Sequence, residues 1–334
     1  MGKTAFFNKR SSLSGLVLAG CLAFSTCLAA QSRAEVAQQQ NIVLSATHVA
    51  HPQNKQNKAA PKRFVSPRKT KSPLVPYRGW GYLVEKLRQD GISEAELDSV
   101  FLDPRMPYFS FISFKLRPRE HQAIYDNFRK EPTLQIARAF LEKNKTVFDQ
   151  AEQLFKVNRH IVAAILLIET HAGKATGNDL VINRLARLAS IAEPNNVTQN
   201  YENLSKADPS VTLEQVSQRA NYLEDTFYPE VLALFELKRK HEADLLTLRG
   251  SSAGAFGLPQ FLPSSYLKFA VDANKDGKIS LFHEADAIWS AAHYLSQFGW
   301  QDSAPRADKR KVLWKYNHSD AYIDAALDVS DLLK

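Results

Sequence analysis

From residue 79 onward, apolar residues recur every three to four positions, the period of a helix with one buried face. Tyr82, Leu83 and Leu87 mark a first helix, and Leu97, Val100 and Phe101 a second. Gly91 separates the two, and Ser93 stands where it would cap the second. A loop containing Pro104 and Pro107 follows, and helical spacing then predicts helices over about 132–157 and 159–171. Residues 161–168 are apolar on every face, which predicts a helix at the buried centre of a domain. Gly173 is a natural stop for it, so Glu169 sits at the mouth of a buried helix, next to a turn. Helical spacing resumes at 180–190, is interrupted around 194–209, and returns over about 213–241. A further helix is predicted over 284–298, with Ile288, Trp289, Ala292 and Leu295 inward and Gly299 as its stop. No alternating run is long enough to demand a large sheet, and no internal repeat is present. The predicted fold class is mainly α.

The first eighty residues follow different rules. Lys3, Lys9 and Arg10 precede an apolar run over residues 13–30, and no acid occurs before Glu35. That is the pattern of a secretory signal peptide, and the run is short for a membrane span. We expect residues 1–34 to direct export. Leu18-Ala19-Gly20-Cys21 has the form of a lipobox, in which Cys21 would carry lipid; ordinary cleavage near Ala30 or Ala34 is the other reading. Both routes lead to the cell envelope, either as a periplasmic protein or as an outer-membrane lipoprotein. Cys21 and Cys27 are the only cysteines, so residues beyond 34 hold no disulfide, cysteine nucleophile or thiolate metal site.

Residues 35–78 are rich in Gln, Asn, Pro and Lys without a sustained period, a composition that reads as a disordered basic linker. Charge sharpens the division. The chain carries 43 Lys and Arg against 35 Asp and Glu. Residues 1–78 hold 12 of the basic residues and 1 of the acidic ones, which leaves 31 against 34 beyond them. The folded region, 79–334, is therefore slightly acidic, and a nucleic-acid partner is not expected. The basic tail could touch anionic envelope polymers or lipid.

Three constellations carry candidate chemistry. Glu169 ends the apolar helix, where desolvation would favour a protonated carboxyl, the form that glycoside cleavage requires at a leaving oxygen. The second spans residues 249–266, from Arg249-Gly250-Ser251 through Gly257-Leu258-Pro259-Gln260 to Pro263-Ser264-Ser265-Tyr266. Its small residues allow close backbone approach, Gln260 both donates and accepts hydrogen bonds, and Pro263 with two serines reads as a turn into a helix. The third is Asp272-x-Asn274-x-Asp276-Gly277-Lys278-Ile279. Oxygens at positions one, three and five, and the Lys278 carbonyl at seven, form an EF-hand-like calcium loop. Position twelve is His283, with Asp286 three residues further on.

Together, the Glu169-Thr170-x-x-Gly173 motif and the Gly250–Tyr266 motif resemble those of the membrane-bound lytic murein transglycosylase B family. Tyr316-Asn317-x-Ser319-x-x-Tyr322 is similar to that family's closing motif, and the likeness covers about residues 80–334. The resemblance implies a lysozyme-like helical domain with an active-site cleft and Glu169 as its catalytic residue. It implies Ser251, Gln260, Tyr316, Asn317 and Arg219 as substrate-binding residues. Asp272, Asn274, Asp276, Lys278 and Asp286 would hold a structural Ca2+, Asp286 supplying the last carboxylate. No cofactor is implied for catalysis. The sequence departs from the family pattern at Ala172, where an aromatic is usual, and at Leu258-Pro259 before Gln260. Residues 195–217 look inserted before Arg219.

The implied activity cleaves the MurNAc-β-1,4-GlcNAc bond of peptidoglycan glycan strands and leaves 1,6-anhydromuramoyl ends. Other cell-wall enzymes are possible partners. Two alternatives stand beside it. A hydrolytic muramidase on the same scaffold would need a second carboxylate, for which Glu224 and Asp225 stand open, or a positioned water opposite Glu169. A non-enzymatic peptidoglycan-binding protein would have no need of Glu169.

Overall fold

The computed structural model describes residues 76–118 and 122–334. The expected signal peptide, the lipobox reading at Cys21 and the expected linker up to residue 75 lie outside the described residues. Among the described residues the chain forms twelve α-helices: α1 (Gly81–Gln89), α2 (Glu94–Phe101), α3 (Glu131–Lys143), α4 (Lys145–Phe155), α5 (Arg159–Thr170) and α6 (Val181–Leu188), then α7 (Pro194–Ala207), α8 (Leu213–His241), α9 (Pro263–Phe269), α10 (Glu284–Gln297), α11 (Arg306–Tyr316) and α12 (Asp320–Leu332). A short antiparallel ribbon pairs β1 (Asp179–Leu180) with β2 (Arg249–Gly250), placing Asp179 opposite Gly250. The expected mainly α class is what the chain adopts. No helix among the described residues is long and apolar enough to cross a membrane.

Helix α5 is the hub. Every residue from Ile161 to Ile168 is buried, and so is Thr170. Burying one such aliphatic side chain contributes roughly 1.5–3 kcal/mol, so rotation of α5 about its axis would forfeit several of these terms. Asn158 caps the start, accepting from the His160 N–H at 2.8 Å. α3, α4, α10 and α12 pack around α5, while α6, α7 and α9 pack against the long α8.

Two expectations need correction. The helix predicted over 132–157 is two helices, α3 and α4. Asn144 leaves helical geometry between them (φ −107°, ψ 24°), and its side-chain amide donates to the Phe140 carbonyl at 3.1 Å. The interruption predicted around 194–209 is instead the helix α7. Pro194 occupies the first turn, where a missing N–H costs nothing, and the Glu193 carboxylate caps the Asn196 N–H at 2.8 Å. The residues that looked inserted have a structural task. Asn196 and Asn200, one turn apart, face inward and clamp an extended segment. Asn196 accepts from the Ile112 N–H at 2.8 Å, and Asn200 donates to the Ile112 carbonyl at 2.8 Å. Two side-chain amides thus replace the neighbouring strand that this segment lacks. Helices α11 and α12 go beyond the predicted elements.

Candidate active site

Helix α5 ends in consecutive left-handed residues, His171 (φ 51°), Ala172 (φ 57°) and Gly173 (φ 91°), which turn the chain sharply after Glu169. The Thr170 hydroxyl makes that turn rigid. It accepts from the Gly173 N–H at 3.0 Å and donates to the Leu258 carbonyl at 3.0 Å. One buried hydroxyl therefore joins the Glu169 turn to the loop that carries Gln260.

That loop is a tight hairpin. Phe256 and Phe261 exchange backbone hydrogen bonds at 2.9 and 3.1 Å, and Gly257 through Gln260 form its tip. Gly257 has φ 75°, and a Cβ there would lie 2.3 Å from Leu281 Cβ, so only glycine fits. Gln260 is itself left-handed (φ 50°) and 9% exposed. Its amide nitrogen donates to Gly257 at 2.8 Å and to Thr176 at 3.1 Å, beyond the Glu169 turn. Its amide oxygen is buried with no hydrogen-bond partner among the described residues. The Tyr316 hydroxyl donates to the Pro259 carbonyl at 2.5 Å and holds the hairpin from the α11 side.

The aromatic rings of the closing motif complete the surroundings of Glu169, which is half-buried. Tyr322, on α12 and 1% exposed, stacks parallel to Tyr316 at 6.4 Å and meets Tyr125 edge-on at 6.0 Å. Burial, and then the adjacent Glu169 carboxylate, push the Tyr322 phenol well above its ordinary value. It stays a neutral hydroxyl facing Glu169. Burial, with Lys174 adding to it, lowers the His171 imidazole, which favours its neutral form. Sequence reasoning included Thr170 and Tyr322 in motifs but gave neither a role. Both gain one from contacts across the fold.

The other anticipated site residues are placed as follows. Ser251, 2% exposed, lies at the base of the loop, where its hydroxyl accepts from the Ala255 N–H at 3.2 Å. Asn317 directly follows Tyr316 and is buried. Arg219 stands on α8, half-buried, with its guanidinium over the Tyr222 ring at 5.3 Å. Of the two open carboxylates, Glu224 is buried between helices. It accepts from Tyr82 at 2.9 Å and Ala192 at 3.3 Å, and it pairs with Lys86. Asp225 is exposed. Sequence reasoning also missed Glu230, a buried acid on α8 that caps α9 through the Ser264 N–H (2.9 Å) and hydroxyl (2.7 Å).

The loop over 272–286 offers hard oxygens of the kind calcium takes, from Asp272, Asn274, Asp276, the Lys278 carbonyl and Asp286. In the structure these side chains accept backbone N–H groups. Asp272 accepts from Gly277 at 2.9 Å, Asn274 from Asp276 at 3.0 Å, and Asp276 from Lys278 at 2.8 Å. Asp286, 1% exposed, takes Ala273 at 3.0 Å and Ser280 at 2.8 Å and so fastens both sides of the loop. Among the described residues no three His, Cys, Asp or Glu side chains converge as a metal cluster. The donors fit calcium in kind, and an ion would have to draw them off the backbone.

A single acid at the end of a central apolar helix, beside a hairpin and a helical C-terminal lobe, defines a lysozyme-like fold. Residues 78–309 match the transglycosylase SLT domain family, and the chain belongs to it. It is 32% identical over 161 residues to membrane-bound lytic murein transglycosylase B of Escherichia coli (strain K12). That match covers 48% of this chain and 37% of the relative, so the chain matches little more than a third of that protein's length. Among solved structures, soluble lytic transglycosylase SltB1 of Pseudomonas aeruginosa aligns with a TM-score of 0.58 at 22% identity, over 76% of this chain and 98% of that one. SltB3 of the same organism, in complex with NAG-anhNAM-pentapeptide, aligns at 0.57 and 17% identity, over 77% and 79%. Slt35 of Escherichia coli, in complex with calcium, aligns at 0.53 and 20% identity, over 77% and 92%. At these identities the structural likeness is one of fold.

Proposed function

We propose that this chain is a lytic murein transglycosylase that cleaves the MurNAc-β-1,4-GlcNAc bond of peptidoglycan and leaves 1,6-anhydromuramoyl ends. The observation that carries the reading is the setting of Glu169. It ends the buried α5, faces the neutral Tyr322 hydroxyl, and is tied through Thr170 to the Gln260 hairpin. Family membership and the name of the Escherichia coli relative point the same way.

The chemistry needs one carboxyl. Glu169 gives its proton to the glycosidic oxygen as the C1–O4 bond breaks, and positive charge builds at C1. The muramoyl 6-hydroxyl attacks C1, its proton passes to Glu169, and the acid is regenerated. No water is consumed. Gln260, Tyr316, Asn317, Ser251 and Arg219 are assigned to the substrate, the neutral amides and hydroxyls stabilising charge without acting as nucleophiles. The hydroxyl attached to the bound sugar outcompetes free water because its effective concentration is high. A hydrolytic route on Glu224 is disfavoured by that group's commitment to Lys86 and Tyr82. That SltB3 was solved with an anhydro-sugar pentapeptide supports the product assigned here.

The loop over 272–286 is assigned a structural calcium ion on the chemistry of its donors, a reading supported by the calcium complex of Slt35. The assigned place of action is the cell envelope, reached by the signal over residues 1–34, with lipid attachment at Cys21 as one route. The decisive experiment digests purified wall in heavy-oxygen water. Intramolecular closure leaves fragments unlabelled and lacking reducing ends. Label at C1 would make the chain a hydrolase.

A further inference from the structure

The folded region beyond residue 78 carries a slight excess of acid, and the segment over 102–118 reverses that sign. It holds Arg105, Lys115 and Arg117 against a single acid, Asp103, which pairs with Arg105 at 2.9 Å. Lys115 and Arg117 have no acidic partner among the described residues. In the same segment Leu102 is 50% exposed, Tyr108 65% and Phe111 36%. A lone exposed apolar side chain is ordinary, but three within one short segment, beside uncommitted cations, form a surface that folding leaves uncovered. The segment is braced from beneath, so these tips stay outward. Trp80 packs on Phe101 and Phe109 with ring centroids 5.9 and 5.2 Å away, and its indole N–H donates to the Pro107 carbonyl at 2.8 Å. Further along, Asn196 and Asn200 hold the Ile112 backbone.

The face lies where the preceding chain arrives. Arg78 sits over the Tyr108 ring at 4.5 Å and donates to the Asp103 and Met106 carbonyls at 2.8 and 3.2 Å. Residues 62–71 carry five basic residues and no acid, and Lys71 is five positions before Pro76. Five residues span at most about 18 Å, so this polybasic stretch is tethered beside Tyr108.

An anionic polymer would engage the cations and leave the aromatic tips in water. A bilayer interface meets both needs at once, with anionic headgroups for the cations and an acyl boundary just below them for Tyr and Phe. We propose that the 102–118 segment, together with the polybasic residues 62–71, is a docking face for an anionic phospholipid surface. Lys115, Arg117 and the polybasic stretch pair with headgroups while Leu102, Tyr108 and Phe111 reach the acyl boundary. Each Lys or Arg near such a surface strengthens binding roughly fivefold. The consequence is orientation. An acyl chain at Cys21 lies 55 residues before Pro76 and by itself cannot orient the folded domain, whereas a face on the domain sets the side presented to the bilayer. A single acyl chain also holds a protein only reversibly, and a basic second element makes the attachment lasting.

The test uses residues 35–334, which keep every described element of the fold and the polybasic stretch but carry neither the expected signal nor an acyl site. Sedimentation with vesicles of mixed phosphatidylglycerol and phosphatidylcholine is compared with vesicles of phosphatidylcholine alone. We expect binding to the mixed vesicles, little to the neutral ones, and a loss of about tenfold or more in Lys115→Glu/Arg117→Glu. Tyr108→Ser/Phe111→Ser should weaken binding to mixed vesicles several-fold. It should leave binding to dextran sulfate, which has charge but no acyl boundary, unchanged. All four side chains are exposed, so circular dichroism of both variants should match the parent chain. No binding to either vesicle, equal binding to both, or full retention by Tyr108→Ser/Phe111→Ser would each overturn the proposal. Self-association that this variant abolishes, without vesicle binding, would assign the face to a second copy and overturn it as well. No turnover is measured, so the outcome is separate from that of the heavy-oxygen test.

Discussion

Replacing Glu169 by Gln keeps the shape of the side chain and its place at the end of α5 while removing the transferable proton. Wall clearing, followed by turbidity, should fall on the order of 100- to 10,000-fold, with circular dichroism unchanged. A Glu169→Gln enzyme that still clears wall at near the original rate would show the acid to be misassigned. Tyr322→Phe is the subtler change. It preserves ring packing on Tyr125 and Tyr316 and deletes only the hydroxyl that faces Glu169. A buried hydroxyl beside an ionising acid is worth on the order of 1 kcal/mol, so kcat should drop several-fold, with KM changed far less. If KM absorbs the whole effect instead, Tyr322 acts on substrate binding and not on the acid. The place of Glu169 at the end of an all-apolar helix running into a glycine stop was legible in the sequence because that setting is local, whereas its assignment as the acid came from the family resemblance. The partnership with Tyr322 was not legible, because it exists only once α12 lies against α5.

At the level of elements, the fold depends on segments that borrow partners from elsewhere. Asn200 satisfies the Ile112 carbonyl from α7, and Asn200→Ala would leave that buried carbonyl without this donor. The expected loss is about 1–3 kcal/mol, read as a lower urea midpoint at unchanged slope. An unaltered midpoint would mean that the 109–115 segment does not need its clamp. This element shows where pattern reading runs out. Two asparagines one turn apart look like loop residues in a sequence, since the same side chains favour turns when nothing else occupies them. Their helix becomes intelligible only when the strand-like segment they hold is in view. Helix α8 is the opposite case. Its Thr212 cap, with Gln215 three residues on, and its regular inward stripe belong to neighbouring positions, so its bounds followed from spacing alone.

For the whole molecule, calcium should act as a brace behind the hairpin. Leu281 closes the 272–286 loop region onto Gly257 and Leu258, so ordering one orders the other. At free calcium about 100-fold above Kd, the folded state gains about 2.7 kcal/mol, which corresponds to a rise in Tm of several degrees. Chelator should reverse that rise in the wild-type chain, and Asp276→Ala should be insensitive to it. A melting temperature indifferent to chelator would leave the loop held by the backbone hydrogen bonds that Asp272, Asn274, Asp276 and Asp286 accept.

What the sequence determined by itself was the class of fold, the buried central helix, the acid at its end and the oxygen-bearing loop. Each follows from residues within a few turns of one another, where periodicity, caps and glycine stops act. The tertiary structure decided which hydroxyl faces the acid, how Thr170 joins two motifs, and that Asp286 ties both sides of its loop. These depend on side chains that meet only after the helices pack, because the burial of α5 draws distant parts of the chain to one end of a single helix.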